Sequence, residues 1–85
     1  MKMLIKETEN EGLEALIGKR ITIFGSIYIY TGLLIGVNDK CIKLEDAAVV
    51  YETGAFSDPS WKDAQKLPKD WYVSIASIES FGELK

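Results

Sequence analysis

An 85-residue chain with 47% hydrophobic residues is long enough for one small core and too short for two. Its formal net charge of −3 excludes the strongly basic balance of a general nucleic-acid binder, which gains affinity from many Lys and Arg contacts to phosphate. A single cysteine excludes an internal disulfide, and no apolar run approaches the ~20 residues of a membrane span, so composition points to a soluble cytoplasmic protein.

The N-terminal Met1 to Lys6 is too soon interrupted by charge to be a signal peptide. A helix is expected over about 8–17. Thr8 and Glu11 have the spacing of a capping box, and Leu13, Leu16 and Ile17 place one apolar stripe on the helix. Gly12 weakens it, and Gly18 is suited to end it in a left-handed conformation. From Arg20 the period becomes two. A strand over 20–25 sets Ile21 and Ile23 on one face and Thr22 and Phe24 on the other. A long strand over 27–37 is apolar on both faces and contains Gly32 and Gly36, a pattern suited to a bent strand covered on both sides.

Asn38, Asp39 and Lys40 make a tight turn, since Asn and Asp tolerate its unusual dihedrals. A third strand over 40–52 follows, with Cys41 expected as a small buried hydrophobe and Ile42 and Leu44 alternating with Lys43 and Glu45. Glu45 and Asp46 point to opposite faces and read as a solvated strand end. Residues 53–69 read as a variable loop holding both prolines, with Phe56 and Trp61 either folding back as lids or forming a partner-binding tip. Short strands over 70–75 and 77–82 complete the chain.

The chemical inventory is sparse. With no histidine the usual base near neutral pH is missing, and a lone cysteine builds no metal site. No glycine loop leads into a helix to hold phosphate. The expectation is a protein that is not an enzyme and uses no cofactor or metal.

Tyr30-Thr31-Gly32-Leu33-Leu34 and Leu44-Glu45-Asp46-Ala47 resemble the first motif of the Sm-like (LSm/Hfq-type) family, with a matching layout over the rest of the chain. The resemblance implies a mainly β fold: a short N-terminal α-helix, then a five-stranded, strongly bent antiparallel SH3-like barrel as a single domain over 1–85. It further implies a cyclic homo-oligomer of about five to seven subunits, closed by head-to-tail strand pairing. Single-stranded RNA binding is the implied role. Its candidate residues are Asn38, Asp39 and Lys40 in the turn, with Tyr72 and Ser74 beside the bend where the family carries its second motif. The family's Arg-Gly or Lys-His pair is replaced there by Tyr72, Val73, Ser74 and Ile75, and the turn offers no aromatic to stack on a base.

A ring of Lys40 side chains would sum charge toward a phosphate backbone, while Asp39 opposes it, and Tyr28, Tyr30 and Tyr72 are candidate stacking surfaces. Trp71, Val73, Ile75, Ile78 and Phe81 are the expected subunit interface. The alternative is a structural module that keeps the ring, has lost the RNA pocket, and binds protein through Phe56 and Trp61.

Overall fold

The computed structural model describes Ile5 and residues 11–85. Among them lie one short helix, α1 (Gly12–Ala15), and six strands: β1 (Arg20–Gly25), β2 (Ile29–Val37), β3 (Cys41–Glu52), β4 (Asp63–Lys66), β5 (Trp71–Ser74) and β6 (Ile78–Gly82). Thr8 of the expected capping box lies outside the described residues. Within them α1 is one turn long, and Gly18 ends the segment with φ +90. A non-glycine residue would be strained there. The turn also orients the next strand: Gly18 N–H donates to Leu34 O (2.8 Å), and Leu34 N–H donates to Lys19 O (3.0 Å).

All strands pair antiparallel in one open sheet of order β4-β3-β2-β1-β6, with β5 also on β3. Central β3 serves two neighbours along one edge: Cys41 to Leu44 pair with β5, and Ala48 to Glu52 pair with β4. A β-bulge separates these halves. Between Thr31 and Leu33 of β2, β3 runs from Ala48 back to Glu45, one residue more than the ladder needs. Such an insertion bends the strand and increases its twist. The bulge puts Asp46 at φ 51 and presses β3 onto Gly32. A Cβ on Gly32 would lie 3.1 Å from Leu44 Cβ and 3.2 Å from Ala47 Cα, so a side chain there must push β3 away.

The core gathers Leu13 of α1, Ile21 and Ile23 of β1, Leu34 of β2, Ile42, Leu44 and Ala47 of β3, and Val73 of β5. Each fully buried Ile or Leu contributes about 1.5–3 kcal/mol by leaving water. Tyr30, Leu67, Ile75 and Ile78 pack around its rim.

Several expectations change. A fourth strand forms inside the expected 53–69 loop, making six strands where five were expected. Its sequence, Asp63-Ala64-Gln65-Lys66, has no apolar alternation and stays exposed; β3 supplies the hydrogen-bonding edge that makes it a strand. Ile27 and Tyr28 belong to a turn, because Gly25 N–H donates to Tyr28 O (2.9 Å); Ile27 is therefore 82% exposed. Thr22 is fully buried although it sits opposite the core residues of β1, because the chain's last residues lie over it. Cys41 is only half-buried, since its cross-strand partner is the exposed Ser74. Ile17, expected on the buried helix stripe, is exposed beyond the end of α1.

Candidate functional site

The β2–β3 turn is built by one side chain. Asn38 Oδ1 accepts the backbone N–H groups of both Lys40 and Cys41 at 2.8 Å, and Asn38 N–H donates to Cys41 O at 3.0 Å. An asparagine at this position thus satisfies two donors that a tight turn leaves unpaired. The turn is tied to the far end of β5 because Ile75 N–H donates to Lys40 O (2.9 Å) and Ser74 pairs with Cys41. The fold therefore brings together Asn38, Asp39, Lys40 and Ser74, all exposed at one end of the sheet.

One step along the same face, Lys43 and Tyr72 are direct cross-strand partners. The Lys43 ammonium stands over the Tyr72 ring, 5.4 Å from its centroid, and 3.8 Å from an Asp70 carboxylate oxygen. The adjoining Tyr72 phenol, more than Asp70, holds the Lys43 ammonium above the ordinary lysine range, so it stays charged at neutral pH. Tyr72 is 61% exposed. With Gly36, Val37, Asn38 and Cys41 these two side chains line a cavity of about 260 Å³. Gly36, the β2 partner of Lys43, leaves that end of the cavity without a side chain. Cation and aromatic surface side by side are what a nucleotide needs, one for phosphate and one for the base. On the α1 side of the turn, a second cavity of about 370 Å³ is lined by Leu13, Glu14, Val37, Asn38, Asp39 and Ile75. Its two carboxylates make it unfavourable to phosphate.

The expected interface residues separate into two kinds. Val73 is 3% exposed and belongs to this chain's own core, opposite Ile42. Ile75 and Ile78 also pack against that core. Trp71 and Phe81, 40% and 39% exposed, pair with the core residues Leu44 and Ile23, so they lie at the rim of the core-side face of β5 and β6.

The aromatic residues are spread over separate places. Tyr28, in the turn before β2, and Tyr30, near the start of β2, meet edge to face with centroids 6.2 Å apart, away from the Tyr72 cavity. Phe56 and Trp61 do not form one tip. Phe56 stands edge-on to Phe24 at 6.4 Å and lines an apolar cleft of about 310 Å³ with Phe81 and Leu84. Trp61 lines a different cleft with Arg20, Asp46 and Lys66.

Three side chains escape sequence reasoning. Lys43 is visible as an outward strand position, but its partner Tyr72 is 29 positions on. Asp46, read as a solvated strand end, accepts from Arg20 Nη2 and Lys66 Nζ, each at 2.7 Å, joining β1, β3 and β4. Lys66, and then Arg20, hold its carboxyl below the usual carboxylate range. Lys85 gives no signal in the sequence at all, yet its ammonium and carbonyl both make long-range contacts.

Among the described residues no group of three or more His, Cys, Asp or Glu is placed to hold a metal ion, and no helix is long and apolar enough to cross a membrane. No protein-family model matches the chain, and no curated protein matches its sequence.

Proposed function

We propose that this chain is an Sm-like barrel that assembles into a cyclic homo-oligomer and binds single-stranded RNA without catalysing a reaction. The observation that carries the RNA reading is the Lys43–Tyr72 pair lining a cavity beside the Asn38–Lys40 turn. Lys40 and Lys43 supply two cations at this end, set against Asp39 and Asp70, and the Tyr72 ring supplies a stacking face. The barrel reading is supported by the bulge-bent pair β2–β3, with β1 and then β6 on one side and β4 and β5 on the other. Assembly is supported by the unpaired outer edges of β5 and β6, strands that carry the partly exposed Trp71 and Phe81. Joining the β5 of one copy to the β6 of the next would pair both of those edges.

The test is fluorescence anisotropy of labelled oligo-U and oligo-A at two salt concentrations, on protein sized by light scattering. Micromolar or tighter binding that weakens with salt is expected from a ring-sized species. Tyr72→Ala and Lys43→Ala are each expected to weaken it about tenfold, in line with roughly 1–3 kcal/mol per stacked base. Absence of binding, or variants that bind like the parent, overturns the reading. A monomer overturns the assembly.

The apolar cleft of Phe24, Phe56 and Phe81 favours a second reading, in which the chain is a protein-interaction module. Phe56 is 58% exposed there. Under that reading Phe56→Ala abolishes partner binding, and the Lys43 and Tyr72 variants leave it intact.

A further inference from the structure

We infer that the loop between β3 and β4 is a receptor for a primary ammonium group, filled in this chain by its own Lys85. The Lys85 Nζ donates to three backbone carbonyls of that loop: Thr53 O at 2.8 Å, Ala55 O at 2.9 Å and Ser60 O at 2.9 Å. A lysine ammonium carries three N–H donors, so each has its own acceptor. The Trp61 ring lies 4.6 Å from the same nitrogen, adding the attraction of an aromatic face for a cation.

This set of groups selects for its occupant. Carbonyl dipoles and an indole face hold one compact positive charge. The carboxylate of Glu52, at the start of the loop, is engaged by Lys62 (3.4 Å). A quaternary ammonium would satisfy the indole but has no N–H for the carbonyls. A planar guanidinium does not direct three donors toward one converging set.

The occupant's main chain is anchored separately. Lys85 O accepts from the Thr22 hydroxyl (3.5 Å) and lies 3.4 Å from that of Thr31, whose proton goes to Ile21 O (3.0 Å); this places the side chain over the loop. Filling the receptor ties down a segment with few hydrogen bonds of its own among those described. Beyond the Lys85 clasp it is closed by Asp58 N–H donating to Ala55 O (3.0 Å) and Thr53 Oγ1 donating to Gly54 O (2.9 Å). That segment carries Phe56, so the ammonium also fixes the aromatic wall of the apolar cleft over Phe24. The receptor operates whether or not the chain binds RNA.

Amide hydrogen exchange over residues 53–62 tests this, with β1 to β3 as the internal measure of folding. Lys85→Met keeps the unbranched stem of the side chain and removes the ammonium; loop exchange is expected to speed up at least tenfold while β1 to β3 stay protected. Lys85→Ala is expected to do the same, and n-butylammonium chloride to restore protection where tetramethylammonium chloride at equal ionic strength does not. Loop protection unchanged in Lys85→Met overturns the inference. So does loss of protection throughout β1 to β3, or equal restoration by the two salts.

Discussion

The β2–β3 turn and the β3–β4 loop cap opposite ends of the same strand and are held by different means. The turn is organised from within: Asn38 accepts two N–H groups no more than three residues away. The loop is organised from outside, by a lysine 25 to 32 positions further along the chain. A turn that carries its own acceptor keeps its shape whatever the rest of the molecule does. A loop that borrows a cation keeps its shape only while the donor segment is docked. The first is suited to presenting fixed groups such as Lys40, and the second to changing shape.

The bulge at Asp46 lies between the two ends, and disturbing it is expected to have the largest effect because it erases the contrast. Gly32→Ala forces a Cβ against Leu44 and Ala47, and overpacking of this kind costs about 1–3 kcal/mol. Urea unfolding should show the loss, and hydrogen exchange should show faster opening at both ends of β3.

Asn38→Ala sharpens the contrast by acting on one end. Two turn N–H groups lose their acceptor at a solvent-exposed site, for an expected loss of about 1 kcal/mol. Exchange should rise at Lys40 and Cys41 and remain unchanged over 53–62.

Asp46→Asn has the smallest effect and is read through pH. A carboxyl whose pKa is lower in the folded state stabilises the fold fully above the ordinary carboxylate range near 4, and that stability is lost as pH falls through the lowered value. The parent should therefore exceed Asp46→Asn in stability at neutral pH, with the gap narrowing in acid. Thermal melts of both proteins between about pH 7 and pH 2 measure it. A constant gap would mean that the Arg20 and Lys66 contacts do not depend on the charge of Asp46.

The readable parts of the fold share one property: their signal is local. Period-two alternation from Arg20 marks β1, the glycine-interrupted apolar run marks most of β2, and Ile42, Lys43 and Leu44 mark the alternation of β3. The turn residue Asn38 is legible for the same reason. At the candidate site, Asn38, Asp39, Lys40, Tyr72 and Ser74 are individually visible, and Lys43 is visible only as an outward position. Its role depends on the register of β3 against β5, which sequence spacing does not determine. Val73 shows the opposite failure: an apolar residue on a short terminal strand fits an interface or a core equally well, and register with Ile42 sends it inward.

By itself, then, the sequence determined a small, mainly β chain, the positions of most strands, the Asn38 turn and the absence of histidine chemistry. Hydrophobic periodicity and turn propensity act over a few residues and leave their mark on a few residues. Tertiary structure alone decided that β4 is a strand, that Asp46 joins three strands from within a bulge, that Lys43 meets Tyr72, and that Lys85 holds the 53–61 loop. Each depends on a partner distant in the sequence. A free β3 edge, a one-residue shift in register or a docked C-terminal segment brings that partner within reach, and none of these is written in the residues on either side.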